Sequence, residues 1–268
     1  MADLKPGEKP VQAKPSAAPA AKKTADEKKA SKSSGVFGKK EKTYIGPDLD
    51  FAATEAYKLL RTNLLFSFAD DAKCHSVGIT SSIRGEGKTT TSINTAYMLA
   101  ETGRHVLLIE ADMRLPSVST KLNISRTPGL SNILVGGSTF SEAIKKSPIH
   151  NNLYILPAGD IPPNPSELLG AEAMKRVMEA LSGKFDFIIV DLPPIGAVSD
   201  ALVVSKVVDG MAIVVSRDYA TRSALADSMS QLKHAGAKVL GFVFTRGELP
   251  ASGKYKKYYK YNKYYQKT

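Results

Sequence analysis

The sequence has little with which to staple, ligate or anchor itself. Cys74 is its only cysteine, which excludes an intrachain disulfide and fits a reducing compartment. His75, His105, His150 and His234 are scattered, without metal-ligand spacing. Long apolar runs are also missing. Runs such as residues 106–109 and 187–190 fall far short of the roughly 18–20 residues that span a bilayer, and the N-terminus carries no hydrophobic signal region. The expectation is a soluble, cytoplasmic chain. Large apolar residues are almost absent before Val36 and Phe37, so residues 1–43, rich in Ala, Lys, Pro and Ser, cannot bury enough surface to offset the entropy of ordering. They read as a disordered basic arm.

What is present suffices for one substantial core: 268 residues, 43% of them hydrophobic. The net charge of +11 is concentrated at the ends, with +6 in residues 1–43, +6 in residues 246–268 and about −1 over everything between. Basic ends favour acidic partners, or they simply solubilise the chain. The second reading is preferred for the N-terminal arm.

A helical pattern over residues 52–68 repeats Leu59, Leu60, Leu64, Leu65 and Phe68 near a period of 3.6, with Glu55, Lys58 and Arg61 on another face. From Ser76 onward, β-branched runs alternate with helical stretches. Strands are expected at 76–80, 106–110, 153–156, 185–191, 211–216 and 239–245, and helices at 88–101, 167–181, 197–206 and 222–235. Strands apolar on both faces, alternating with helices, imply an α/β fold with a mostly parallel sheet flanked by helices, in which ligands sit at the carboxyl ends of the strands. The domain is expected to run from residue 44 to 245.

Three motifs end such strands. Ser82-Ile83-Arg84-Gly85-Glu86-Gly87-Lys88-Thr89, followed by Thr90, is a P-loop in which Ser82 replaces the usual first glycine. Its glycines let backbone N–H groups close on phosphates, Lys88 can clamp the outer phosphates of ATP, and Thr89 can give its hydroxyl to Mg²⁺. The apolar run ending in Asp191 has the Walker B form, with a carboxylate for Mg²⁺; a helix cap is the bland alternative. In Leu107-Leu108-Ile109-Glu110-Ala111-Asp112-Met113-Arg114, Glu110 and Asp112 are two residues apart in an extended segment and both could face a γ-phosphate. Arg84 and Arg114 could stabilise transition-state charge or serve in structural ion pairs. At the far end, six of eleven tyrosines, Tyr255, Tyr258, Tyr259, Tyr261, Tyr264 and Tyr265, interleave with Lys256, Lys257, Lys260 and Lys263.

These motifs together resemble the bacterial tyrosine kinases over residues 50–268. Residues 107–114 are similar to that family's Walker A′ motif, three apolar residues followed by Asp-x-Asp-x-Arg. The stretch Leu156-Pro157-Ala158-Gly159 through Pro162-Pro163-Asn164-Pro165-Ser166-Glu167-Leu168-Leu169, the Asp191-Leu192-Pro193-Pro194 turn and the terminal tyrosines carry the rest of the likeness. The departures are Glu110 for the first Asp, and Lys58 for an Arg in the Glu-x-x-Arg-x-x-Arg interface motif, here Glu55 to Arg61. Lysine keeps the charge but loses the planar fork. Thr245 stands where related ATPases often place an Asn near adenine.

The resemblance implies an ATP- and Mg²⁺-dependent tyrosine kinase with Lys88, Glu110, Asp112 and Asp191 as catalytic residues. Thr89, Asp112 and Asp191 would hold the metal, and the P-loop from Ser82 through Thr90, Arg84 and Glu86 included, would bind the nucleotide. Glu110 is the candidate base, with Asp112 able to exchange roles. The tail tyrosines would be phosphoacceptors, modified in trans within a homo-oligomeric ring built through Glu55, Lys58 and Arg61. The tail's 23 residues reach at most roughly 75 Å. The implied partner is a transmembrane chain-length-determinant-type activator that recruits the kinase to the inner face of the membrane, and the implied process is capsular or exopolysaccharide synthesis and export, whose proteins are possible substrates. Two other readings stand beside this one. A MinD/ParA-type positioning ATPase would need an early loop lysine, where Ile83 and Arg84 stand instead; an assembly regulator would bind ATP without strong turnover. The tail could also be an arm for single-stranded nucleic acid or acidic membrane, with nucleic acid disfavoured.

Overall fold

The computed structural model describes residues 44–68, 72–217 and 219–247; the basic arm and the tyrosine cluster lie outside them. After a 3-10 turn at Gly46–Asp48 come helix α1 (Phe51–Ser67), strand β1 (His75–Ser81), α2 (Lys88–Ala100) and β2 (Val106–Glu110). Three short helices follow, α3 (Val118–Lys121), α4 (Leu130–Leu134) and α5 (Phe140–Ala143), then β3 (Lys145–Lys146) and β4 (Leu153–Leu156). The chain continues through α6 (Pro165–Gly170), α7 (Glu172–Ser182), β5 (Phe187–Asp191), α8 (Asp200–Val204), β6 (Gly210–Ser216), α9 (Arg222–His234) and β7 (Val239–Thr245).

The sheet order is β3-β4-β2-β5-β1-β6-β7, with every pair parallel except the β3–β4 hairpin edge. This is the expected parallel α/β sheet. Every residue of β2 is buried, and its alternation divides the core. Leu107 and Ile109 join Ile188, Val190, Met174 and Leu181 on one face, whereas Val106 and Leu108 join Val77, Ile189, Ile93 and Leu99 on the other. Each such side chain contributes roughly 1.5–3 kcal/mol by its removal from water.

Elements depart from expectation where tertiary contacts override local pattern. The helix expected at 167–181 starts earlier, with Pro165 in its first turn, and breaks at Ala171, whose extended backbone (φ −73°, ψ 155°) separates α6 from α7. Gly170 precedes the break and packs so close to Val203 that a Cβ would lie 2.9 Å from Cγ1. Helix α8 is shorter than 197–206 because Ala197 and Val198 form a turn onto the Pro194 carbonyl. The antiparallel Lys145–Lys146 pair and the three short helices had no periodic signal.

The parallel order places the ends of β2, β5 and β1 side by side: Glu110 is paired with Asp191, and Asp191 with Ile79. Two backbone hydrogen bonds support this corner from outside the sheet. Leu130 N donates to Pro157 O at 2.8 Å and Gly159 N to Arg126 O at 3.2 Å, which presses Gly129 so close that a Cβ would overlap Pro157 O and Gly159 N. Gly129→Ala is therefore expected to destabilise the protein by about 3 kcal/mol, read as a drop in denaturant midpoint.

Candidate active site

The loop after β1 turns into α2 with Gly85 and Gly87 both in the left-handed region, at φ 90° and 95°. Glycine is required there for backbone reasons, and a Cβ on Gly85 would also crowd the exposed Tyr219 side chain, 3.1 Å from its hydroxyl. The first-turn N–H groups of α2 have no partner inside the helix and present a positive end to the loop. Such a cradle fits a phosphate.

Lys88 extends across to the end of β2, where its ammonium donates to Asp112 Oδ2 at 2.8 Å. Asp112 Oδ1 accepts from Leu115 N at 3.1 Å. Thr89 Oγ donates to Asp191 Oδ2 at 2.8 Å, Ser92 Oγ to Asp191 Oδ1 at 2.9 Å, and Ser117 Oγ to Thr89 Oγ at 3.2 Å. Ser92 lies one helical turn beyond Lys88 and Thr89, so helical spacing alone could have found it. Asp191 is fully buried, and that burial pushes its carboxyl up to about 6, against the lowering influence of Lys88 and the two hydroxyls. Its main-chain carbonyl meanwhile accepts Ala111 N and Asp112 N, tying the β2 and β5 ends together.

Glu110 does not share this space with Asp112. Its Oε1 accepts Ser117 N at 2.5 Å and Val118 N at 2.6 Å, and its Oε2 accepts Ala158 N at 3.2 Å. Burial raises its pKa while these three donors hold it down. One methylene longer than aspartate, Glu110 reaches past the strand end to brace the segment leading into α3. The sequence reading that both carboxylates face one phosphate is thus corrected in geometry: Asp112 meets Lys88, and Glu110 meets backbone. Glu110→Gln replaces one accepting oxygen by an NH₂ group and is expected to cost about 1–3 kcal/mol, measured by chemical denaturation.

Glu86 also turns inward. At 1% exposure, its carboxylate accepts Ile83 N at 2.9 Å and Ser216 N at 3.0 Å, while its carbonyl accepts Thr245 Oγ at 2.7 Å. It holds the loop to the ends of β6 and β7, a role with no local signal because Ser216 is 130 residues away. Ser82 is buried with an unpartnered hydroxyl among the described residues, and its carbonyl accepts Gly196 N at 3.1 Å. Arg84 is exposed at the loop apex, and Thr90 is half-buried. Arg114 forms a two-pronged ion pair with Asp200. On α1, Lys58 pairs with Glu55 at 2.8 Å on the surface, and Arg61 donates to the Met98 carbonyl at 3.2 Å. The tyrosine cluster lies outside the described residues.

Among the described residues no group of three or more His, Cys, Asp or Glu side chains is gathered for a metal. Thr89, Asp191 and Asp112 instead form a hard-oxygen set beside a phosphate cradle. That set fits a cation that takes one or two carboxylates and completes its shell with phosphate oxygens and water. No helix among the described residues is long and apolar enough to cross a membrane.

Residues 76–238 match a family described as AAA domain. The chain is 37% identical over 202 residues to the tyrosine-protein kinase YwqD of Bacillus subtilis, covering 75% of this chain and 84% of the relative. Among solved structures, the kinase domain of Escherichia coli tyrosine kinase ETK superposes with a TM-score of 0.71 at 30% identity, covering 80% of this chain and 84% of that one. The chimerical protein CapA2B2 gives 0.69 at 32% identity, covering 73% and 85%. The septum site-determining protein MinD of Pyrococcus horikoshii, solved with Mg-ADP, is more distant, with a TM-score of 0.55 at 28% identity over 66% of this chain and 74% of that one.

Proposed function

The chain belongs to the bacterial protein-tyrosine kinases, and we propose from that membership and from its site that it transfers the γ-phosphoryl group of ATP to tyrosines of its own C-terminal cluster, in trans between copies. The observation that carries this reading is the convergence of Lys88, Asp112, Thr89 and Asp191 at three adjacent strand ends beside a phosphate cradle.

Thr89 and Asp191 would hold Mg²⁺, which would supply positive charge to the phosphate oxygens, leaving Asp112 to the acceptor. The chain does the rest by positioning. The cradle of Gly85, Gly87 and the α2 N-terminus orients the phosphates, and Lys88 neutralises charge as it shifts to the leaving oxygens. A phenol has a pKa near 10, so a carboxylate within hydrogen-bond reach aids loss of its proton. Movement of Lys88 onto a polyphosphate frees Asp112 Oδ2 to accept that proton. Glu110 keeps Ser117 and Val118 in place. Asp112→Asn is accordingly expected to lower transfer by roughly 10²–10³-fold, far beyond the stability lost by stranding the Lys88 ammonium, whereas Glu110→Gln loses activity only in step with stability; initial rates beside melting curves distinguish the two.

The tail leaves β7 immediately beyond Thr245, beside the phosphate loop. Six phosphotyrosines at roughly −1.5 to −2 each would take the tail from +6 to about −3 to −6. That reversal would release the tail from an acceptor site and loosen the oligomer, for which exposed Glu55 and Lys58 on α1 offer a contact face. The activator is a transmembrane protein of chain-length-determinant type, and the process is capsular or exopolysaccharide synthesis and export. Incubation with Mg-ATP followed by tandem mass spectrometry tests the reading: phosphotyrosine between residues 255 and 265 supports it, and ATP hydrolysis without phosphotyrosine refutes it. The partner is tested by adding its soluble cytoplasmic segment, which is expected to bind and raise the rate.

A further inference from the structure

We propose that Asp200 is a positioning residue for the acceptor side of the active site. Through Arg114, it latches the loop that carries Asp112 and so fixes where the incoming tyrosine meets its proton acceptor. The inference rests on the kinase reading above.

Asp200 is fully buried at the start of α8, 86 residues from Arg114 in sequence. Arg114 Nε donates to its Oδ2 at 3.0 Å and Nη2 to its Oδ1 at 3.2 Å. The Ser166 hydroxyl donates to Asp200 Oδ1 and accepts from Arg114 Nη2 at 3.0 Å. Three segments are thereby closed into one ring of hydrogen bonds: the loop after β2, the start of α6 and the start of α8. A bidentate guanidinium–carboxylate pair fixes direction as well as distance. Asp200 is fully buried while Arg114 is 38% exposed, so the pair holds one geometry because leaving the Asp200 charge unpaired would be costly.

The ring acts on the two residues flanking Met113 and Arg114. Leu115 follows Arg114 directly, and its N–H holds Asp112 Oδ1 at 3.1 Å, while its side chain is 53% exposed. With Arg114 drawn sideways onto Asp200, Leu115 is left displayed beside the Asp112 carboxylate. A tyrosine needs an apolar wall for its ring and a proton acceptor at its hydroxyl; Leu115 beside Asp112 supplies both. The phosphate loop is braced elsewhere, by Glu86, Ser216 and Thr245, none of which Asp200 touches. Loss of the latch should therefore appear in acceptor turnover and spare nucleotide affinity.

The test follows phosphotyrosine formation on full-length Lys88→Met chains, used as acceptors, by Asp200→Asn, Ser166→Ala and Arg114→Ala enzymes, with the affinity of each enzyme for a fluorescent ATP analogue measured in parallel. Asp200→Asn is expected to lower acceptor turnover by roughly 10-fold or more while nucleotide affinity stays within about 2-fold. Ser166→Ala, a milder change at the same ring, is expected to give a smaller loss of the same kind. The Arg114→Ala/Asp200→Asn double variant should be no slower than Arg114→Ala alone, because Asp200 acts through Arg114. Wild-type acceptor kinetics in both Asp200→Asn and Ser166→Ala, equal losses of turnover and nucleotide affinity, or additive losses in the double variant would each overturn the latch. A folded wild-type enzyme that forms no phosphotyrosine at all overturns the kinase reading instead.

Discussion

Lys88→Met chains should lose phosphoryl transfer by on the order of 10³-fold, about 4 kcal/mol of transition-state stabilisation, because this ammonium is the cation placed at the mouth of the phosphate cradle. Rate is not the only thing affected. The Lys88–Asp112 pair is nearly buried, with side chains 12% and 6% exposed, so removing the cation leaves a carboxylate held, among the described residues, by Leu115 N–H alone. The single variant should therefore also melt lower. Adding Asp112→Asn removes the stranded charge and should recover much of the lost stability with no recovery of activity. Separate measurement of thermal melts and phosphotyrosine formation distinguishes a lost catalytic charge from a collapsed site.

The second large effect is expected at Asp191, where function and stability oppose one another. Its carboxyl is pushed from an ordinary 3.8 up to about 6 by complete burial. Between those values the folded chain binds a proton that the unfolded chain has released, so wild-type stability falls as pH rises through this window, and above about pH 6 the full cost is present. A shift of this size corresponds to roughly 3 kcal/mol. Asp191→Asn removes the ionisation. The Thr89 and Ser92 hydroxyls can turn from donating to accepting, so the amide keeps its partners. In EDTA at pH 7.5 the variant should melt roughly 6–12 °C above wild type, with the two curves converging toward pH 4. It should also lose transfer, since a neutral amide is a poor ligand for Mg²⁺. A variant that melts lower than wild type at pH 7.5 would show that the buried charge is stabilising.

These two residues were legible because their signals are local. Lys88 sits at a fixed offset from Gly85 and Gly87, and Asp191 ends an apolar run. The parallel sheet was legible for a similar reason, since strands buried on both faces, such as β2 and β5, read as unbroken apolar runs. The remainder depended on partners remote in the chain. Glu86 could be placed in the loop, but not turned inward onto Ser216. Glu110 could be placed at a strand end, yet its three backbone donors come from two other segments. Asp200 gave no signal, because a carboxylate opening a short helix looks like an ordinary first-turn residue. The break at Ala171 was hidden for the opposite reason: residues 167–181 are a good helical pattern that the packing of Gly170 against Val203 interrupts.

The most direct test mixes two defective chains. One carries Lys88→Met with its tail intact, and the other is catalytically intact but ends at residue 247. With Mg-ATP, phosphotyrosine is expected between residues 255 and 265 of the Lys88→Met chain when both are present, and not when that chain is incubated alone. Phosphotyrosine on the Lys88→Met chain alone, or none in the mixture while the wild-type chain modifies itself, would contradict transfer in trans from this site.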